Sequence, residues 1–72
     1  MELKIESEVS GTAWKIVVEA GQQVDEDDTL MIAESMKMEI PIAAPEAGTV
    51  KTICVEEGAP ISEGDVVFIL ET

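Results

Sequence analysis

The hydrophobic positions of this chain fall into short runs separated by glycine and acidic residues. In segments 3–5 and 40–42 apolar residues alternate with other residues, which is typical of half-buried strands. Dense β-branched runs follow at 16–18, 53–55 and 66–70. The turn-forming groups between them are Ser10–Gly11, Ala20–Gly21, Ala47–Gly48, Glu57–Gly58 and Glu63–Gly64–Asp65. No window has a sustained helical stripe, so the pattern predicts an all-β protein.

This pattern occurs twice in the chain. When the sequence is shifted by 37 positions, residues 1–35 align with residues 38–72 without a gap, and 13 of the 35 pairs are identical. The composition alone would give about three identities by chance. Each half is too small to bury its own apolar face, but two halves related by a two-fold axis can cover each other. The repeat predicts one domain, residues 1–72, folded as a flattened β-barrel or sandwich of two antiparallel sheets with internal pseudo-twofold symmetry.

Met36 and Lys37 are the only residues without a partner in the repeat, so they form the joint between the halves. Because no other residues remain for a loop, the joint must be a tight hairpin. The residues on either side of it correspond to the last and first residues of the chain. A two-fold axis therefore places this lysine hairpin opposite the two termini, with Lys37 at an exposed tip.

Composition excludes several classes of function. The chain has 16 acidic residues against 4 basic ones and no histidine, for a formal charge of −12, while 46% of it is hydrophobic. That apolar content favours a folded domain over an acidic disordered tail. The negative surface would repel nucleic acid and anionic membranes. Without histidine the usual nucleophile–base pairs are missing, so we expect no catalytic residues and no metal site.

Four further features have ordinary structural interpretations. We expect Cys54, which lies in an apolar run, to be a reduced packing residue. The acidic run Asp25–Asp28 lacks the spacing of a calcium loop and is predicted to be a solvated turn. Trp14 aligns with Lys51, which predicts a partly exposed packing residue, with a partner contact as the alternative. No segment resembles a membrane span or a signal peptide, so a cytoplasmic protein is expected.

Lys37 is the candidate for chemistry. Taken singly, a hairpin lysine is a surface charge, and Met36 and Met38 are one apolar strand face. However, a primary amine on a rigid tip is also a good acceptor for acylation: once deprotonated it can attack an activated acyl group.

The segment Met36–Lys37–Met38, preceded by Glu34 and followed by Glu39, resembles the attachment motif of biotinyl domains, the biotin carboxyl carrier proteins. Related lipoyl domains share the fold and typically place Asp-Lys-Ala at this turn. The resemblance extends over essentially the whole chain, including the Gly-containing turns at 18–24, 55–61 and 63–67. It is closest to the minimal type of carrier, because the thumb insertion and the Pro/Ala-rich linker of some bacterial acetyl-CoA carboxylase carriers are missing. A free-standing carrier and a domain trimmed from a larger carboxylase both fit.

The resemblance implies specific roles. Lys37 would be biotinylated by a biotin protein ligase, and Met36 and Met38 would help the ligase and the carboxylase active sites accept the turn. Glu34 and Gly48 would support the hairpin. A biotin carboxylase would carboxylate the biotin, and the arm would deliver the carboxylate to a carboxyltransferase. The chain would then be a non-catalytic carrier that supplies high effective concentration.

Two residues depart from the family's pattern, and two alternative functions stay open. Ser35 stands where alanine is common, and Asp27 stands where the second half has Gly64, which requires a left-handed backbone at Asp27. One alternative is a lipoyl carrier, with lipoate on Lys37, for 2-oxoacid dehydrogenase or glycine cleavage chemistry. The other is a non-carrier adaptor that binds a protein through its acidic face.

Overall fold

A computed structural model describes all 72 residues and contains eight β-strands and no helix. The strands are β1 (Glu2–Glu6), β2 (Gly11–Ile16), β3 (Gln23–Val24), β4 (Thr29–Ser35), β5 (Met38–Ala43), β6 (Gly48–Ile53), β7 (Pro60–Ile61) and β8 (Val66–Glu71). No helix long and apolar enough to cross a membrane is present.

The strands form two four-stranded antiparallel sheets, with orders β1-β8-β6-β3 and β5-β4-β2-β7. The predicted all-β sandwich of two antiparallel sheets is confirmed, although the sheets do not close into a barrel. Shifting the sequence by one repeat converts the first strand order into the second, so the pseudo-twofold axis exchanges the sheets. Each sheet therefore contains strands from both halves, and neither half could form its sheet alone.

The core lies between the sheets and repeats the same symmetry. Its fourteen buried residues are Ile5, Ala13, Val18, Val24, Leu30, Met31, Ala33, Ile42, Ala44, Val50, Ile61, Val67, Phe68 and Leu70. Most of them are partners in the repeat, such as Leu30 with Val67 and Met31 with Phe68. Ser7 is the one buried polar residue. Its hydroxyl donates to the carbonyl oxygen of Val9 at 2.6 Å, so its burial leaves no unpaired polar atom.

The chain termini and the lysine hairpin lie at opposite ends of the molecule, which measures 33 × 17 × 17 Å. At one end, the amide of Thr72 donates to the carbonyl oxygen of Met1 at 2.8 Å. Strand β1 starts there and leads away to the β1–β2 loop, where the carbonyl oxygen of Ser10 accepts a hydrogen bond from Ser35, the residue before the hairpin. The predicted placement of the hairpin opposite the termini is confirmed.

Two local predictions were wrong. The runs 16–18 and 53–55 were expected to be strands, but β2 ends at Ile16 and β6 ends at Ile53. Cys54 is exposed rather than packed in the core, because Ile53 and Val55 on either side of it are the residues that turn inward. Its repeat partner Val17 is exposed for the same reason.

Three other local predictions are confirmed. Asp27 has a φ of 71°, the left-handed conformation that Gly64 adopts in the second half. The acidic run 25–28 is an exposed turn in which the carboxylate of Asp28 accepts a hydrogen bond from the amide of Asp25 at 2.8 Å. For Trp14 the predicted partial exposure is confirmed: it is 40% exposed, with the ammonium of Lys15 5.1 Å from the centre of its ring.

Candidate modification site at the β4–β5 turn

Met36 and Lys37 form a two-residue hairpin turn between β4 and β5, and Ser35 pairs with Met38 across its base. Their φ angles are 52° and 65°. Positive φ at both central residues is the mark of a type I′ turn, whose twist matches that of the flanking strands. The predicted tight hairpin is therefore confirmed, and the lysine stands at its tip.

The turn is strained, because its residue types do not suit its geometry. Asn and Gly are usual at the two positions, whereas most other residues cost roughly 1–2 kcal/mol each in the left-handed region, because their Cβ lies too close to the backbone. Such strain persists only where the surrounding structure over-determines it, and it is concentrated at functional sites. Here the β4–β5 ladder and the absence of any spare loop residue impose the conformation on Met36 and Lys37.

The tip is fully accessible. Met36 is 92% exposed and Met38 is 63% exposed, and Lys37 between them is exposed as well. The protein has two ion pairs, the N-terminal ammonium with Glu71 and Lys51 with Glu2, and neither involves Lys37. The amino group of Lys37 is therefore exposed and forms no ion pair, with a methionine side chain on each side.

Each sheet contains one pair of facing glutamates, and only one of these pairs is neutralised by cations. Glu34 lies directly opposite Glu39 two positions from the tip, and the repeat partners of these residues, Glu71 and Glu2, also lie opposite each other. At the terminal end, Lys51 donates a hydrogen bond to Glu2, which lowers the pKa of Glu2 and raises the pKa of Lys51. No cation pairs with the carboxylates at the lysine end, so this end presents unneutralised negative charge beside the amine.

The predicted site residues do not all lie at the hairpin. Lys37, Met36, Met38 and Glu34 are together on it, but Gly48 is at the other end, where a Cβ on it would lie 2.8 Å from the carbonyl oxygen of Glu71. The prediction that Gly48 supports the hairpin is therefore wrong.

The glycine at the base of the hairpin is Gly11. A Cβ built on it would lie 2.1 Å from the carbonyl oxygen of Glu34 and 3.2 Å from the Cα of Ser35. Only glycine allows β2 to approach the end of β4 this closely. The repeat aligns Gly11 with Gly48 and could have identified it once the hairpin had been placed opposite the termini.

The surface at the tip of the turn has no binding pocket. One cleft, of about 440 Å³, is lined by residues of β1, by Glu8 and Asp27, and by the segment 41–45. The second cleft, of about 300 Å³, lies at the terminal end beside Gly48 and Thr72. Residues 36–38 line neither of them. A group joined to Lys37 would extend from the tip into solvent.

Solved structures share the fold over nearly the full chain. The structure of the Kluyveromyces lactis urea carboxylase matches 99% of this chain with a TM-score of 0.93 and 31% identity, and the match occupies 6% of that protein. A single-chain, multi-domain long-chain acyl-CoA carboxylase matches 99% of the chain with a TM-score of 0.91 and 25% identity, over 7% of its own length.

Curated relatives match about half of the chain in sequence. A protein of Mycolicibacterium smegmatis named "Biotinylated protein TB7.3 homolog" is 46% identical over 37 residues, which are 51% of this chain and 52% of that protein. The "Biotin/lipoyl attachment protein" of Bacillus subtilis is 41% identical over 39 residues, which are 54% of this chain and 53% of that protein. The chain thus spans about half the length of the curated relatives it matches.

The family profile covers almost all of the chain. Residues 4–70 match the Biotin_lipoyl family, described as "Biotin-requiring enzyme". This range includes nearly all of both halves of the repeat and the turn between them. The protein belongs to the biotin/lipoyl attachment domain family.

Proposed function

We propose that this protein is a biotin carboxyl carrier, biotinylated on Lys37, which moves carboxylate between a biotin carboxylase and a carboxyltransferase. The observation that carries the proposal is the position of Lys37 on an exposed, strained two-residue turn at the far end from the termini. The chain itself is a carrier and not an enzyme. We also propose that it is located in the cytoplasm, as expected from the sequence.

Attachment requires only one group from this chain, the amine of Lys37. A biotin protein ligase would supply biotin with its carboxyl group activated. The deprotonated amine attacks the carbonyl carbon, the leaving group departs with its bonding electrons, the nitrogen loses a proton and an amide remains. This chain contributes the presentation of the nucleophile, which is exposed at the tip of the turn.

Met36 and Met38 favour biotin over lipoate as the attached group. In the resemblance from which the site was predicted, methionine on both sides of the lysine is the biotinyl pattern, whereas lipoyl domains place Asp and Ala there. Their exposure of 92% and 63% gives a ligase or carboxylase an adaptable apolar surface on each side of the amine. Names of curated relatives support both cofactors, because one relative is named as biotinylated and another as a biotin/lipoyl attachment protein.

The carrier role follows from tethering. Biotin on Lys37 would supply the ring nitrogen that accepts and releases carboxylate. A biotin carboxylase would load it at the expense of ATP and bicarbonate, and a carboxyltransferase would unload it. Attachment to the tip keeps the ring at high effective concentration near both enzymes. Any polypeptide joined to either terminus would lie at the other end of the 33 Å long molecule and leave the tip unobstructed.

Intact-mass spectrometry tests the proposal. The chain is incubated with ATP and either biotin and a biotin protein ligase or lipoate and a lipoate ligase. We expect a single biotinyl-sized increment and no lipoyl-sized one. A lipoyl increment alone would identify a lipoyl carrier, and no increment with either ligase would favour the non-carrier adaptor. Loading of the biotinylated chain with labelled bicarbonate by a biotin carboxylase then tests the carrier role.

A further inference from the structure

The sheet that carries the lysine hairpin has an apolar stripe on its outer face. In β4, Met31 and Ala33 are buried, so Ile32 between them points away from the core. Pro41 of β5 lies opposite Ile32 in the register and is exposed. On the other side of Ile32, β2 contributes the exposed Trp14, from a β-bulge in its pairing with β4. The apolar stripe therefore crosses three neighbouring strands and consists of Trp14, Ile32 and Pro41.

The equivalent face of the other sheet is ionic. The repeat partners of Trp14 and Pro41 are two lysines, Lys51 and Lys4. Lys51 also lies at a bulge, in the pairing of β6 with β8, and its ammonium donates a hydrogen bond to Glu2 of β1. The side chain at this bulge thus reaches across β8 to the strand beyond it. The two faces share one backbone geometry, but one carries lysines where the other carries apolar side chains.

The apolar stripe lies beside two carboxylates that have no cation. By the symmetry of the repeat, Trp14 reaches across β4 towards Glu39, which is the partner of the glutamate that Lys51 binds. Glu39 lies opposite Glu34, and neither of them is in an ion pair. An indole thus replaces the one side chain that supplies positive charge in the other half. The result is an exposed tryptophan and uncompensated negative charge close to the lysine turn.

A protein partner of defined chemistry would complete this surface. An apolar pocket on the partner would bury the indole, and a lysine or arginine beside that pocket would take the place that Lys51 has in the other half. A second copy of this chain does not fit, because each copy has a net charge of −12. The stripe adjoins the hairpin, so an enzyme that takes up the tip at Lys37 also meets this face.

We propose that this face, formed by the apolar stripe with Glu34 and Glu39, docks on the biotin carboxylase, at an apolar pocket bordered by lysine or arginine. This rests on the proposed function. The carboxylase binds ATP and bicarbonate, which are both anions, so its active site needs positive charge to hold them. A tip flanked by unpaired carboxylates is complementary to that charge. Docking through the face does not touch the biotin ring, so its loss raises KM and leaves kcat unchanged.

Steady-state kinetics of the carboxylase test the proposal, with biotinylated Trp14→Lys as the substrate and Val17→Lys as the matched control. Both variants replace an exposed apolar residue by lysine, but Val17 lies outside the stripe, beyond the end of β2. The fold accommodates lysine at the position of Trp14, because Lys51 occupies the equivalent position. We expect Trp14→Lys to raise KM about 5- to 30-fold, as for an interface hot spot, and Val17→Lys to change it less than about twofold. Equal KM values for the two variants would overturn the proposal.

The charge of the face is tested with Glu39→Gln, and Glu2→Gln is the matched control. The control removes the equivalent carboxylate at the other end of the molecule. Glu39→Gln should raise KM about two- to fivefold at low salt, and this difference should shrink as the ionic strength rises. Glu2→Gln should leave KM unchanged. A KM for Glu39→Gln equal to that of the wild-type protein would overturn the proposal of a basic partner surface.

The wild-type protein separates this proposal from the proposed function. If the biotinylated wild-type protein is not carboxylated by a biotin carboxylase, the proposed function fails and the docking face fails with it. If the wild-type protein is carboxylated and Trp14→Lys has the same KM, only the docking face is overturned. A rise in KM that is confined to the biotin protein ligase would also overturn it, because the face would then bind the ligase instead.

Discussion

The substitution Gly11→Ala tests how the hairpin is held against the rest of the molecule. The added Cβ would lie 2.1 Å from the carbonyl oxygen of Glu34, whereas ordinary contact begins at 3.4 Å, so β2 and β4 must separate by about 1.3 Å. The three atoms nearest to this Cβ are all backbone atoms, so rotating a side chain cannot relieve the overlap. Overpacking that moves the backbone costs about 1–3 kcal/mol, and this contact should lie at the upper end of that range.

Gly48→Ala is the matched control, because the repeat places it at the equivalent position. There the Cβ would lie 2.8 Å from the carbonyl oxygen of Glu71, a deficit of about 0.6 Å, and its next contact, at 3.1 Å, is with the side chain of Thr72 rather than with backbone. A glycine-to-alanine change also gains about 0.4–1 kcal/mol by restricting the unfolded chain. We therefore expect a loss of about 2–3 kcal/mol for Gly11→Ala and less than about 1 kcal/mol for Gly48→Ala.

Thermal unfolding followed by the fluorescence of Trp14, the only tryptophan, measures both variants. For a domain of this size 1 kcal/mol corresponds to roughly 4–8 °C in Tm, so Gly11→Ala should lower Tm by more than about 8 °C. At temperatures where both variants are folded, Gly11→Ala should also be the poorer substrate for biotinylation, since it displaces the base of the hairpin. A Tm for Gly11→Ala equal to or above that of Gly48→Ala would refute the reasoning.

Three further changes have definite expected outcomes. Met36→Asn should raise stability by about 0.5–1 kcal/mol in urea titrations, because Asn tolerates the left-handed region, and should slow biotinylation by removing a thioether; an unchanged urea midpoint would show that the turn is unstrained. The bond between Glu2 and Lys51 lowers the pKa of the first and raises that of the second, so its stabilisation is present between their unfolded pKa values of about 4.5 and 10.5 and is lost below and above. At low salt, the urea midpoint of Lys51→Met should therefore change less with pH than that of the wild-type protein, both at acid pH and at alkaline pH. An identical pH profile for the two proteins would contradict this. The hydroxyl of Ser10 accepts a hydrogen bond from the amide of Glu63 at 3.0 Å, and its repeat partner Ala47 has no hydroxyl. Ala47→Ser should allow the equivalent bond at the terminal end and raise the free energy of unfolding by about 0.5 kcal/mol. A Tm below that of the wild-type protein would show that the two ends are not equivalent.

Most of the fold followed from the repeat. The alignment of 1–35 with 38–72 left Met36 and Lys37 as a joint without loop residues, and this forced a two-residue hairpin at the end opposite the termini. The strand order in the sheets could not be obtained in this way. Two equivalent halves can pack within separate sheets or exchange strands, and the pattern of one half is the same in both cases.

The wrong predictions have a shared physical origin. Gly11 and Gly48 were interpreted as turn residues, whereas both begin strands and are needed for close approach of a neighbouring backbone. Because β6 starts at Gly48 itself, it also ends early, at Ile53. Cys54 therefore lies beyond the strand, in an exposed position. Local sequence specifies that glycine is required at a point but not whether the reason is a positive φ or a neighbouring strand.

The roles of individual residues at the hairpin were accessible to different degrees. The accessibility of Lys37 could be predicted because the joint has no repeat partner. The contacts of Ser10 and Ser35 could not, because they join loops far apart in sequence and depend on the side-chain geometry of the folded domain. The resemblance marked Ser35 only as a departure from the usual alanine.

Peptide mapping by tandem mass spectrometry after biotinylation tests the central claim most directly. The wild-type protein and Lys37→Arg are each treated with biotin protein ligase, biotin and ATP, and all four lysines are covered. The prediction is complete modification of Lys37 in the wild-type protein, and a folded Lys37→Arg variant that accepts no biotin. Biotin on Lys4, Lys15 or Lys51 in the variant at the wild-type rate, or no biotin on Lys37 in the wild-type protein, would contradict the assignment of the hairpin as the attachment site.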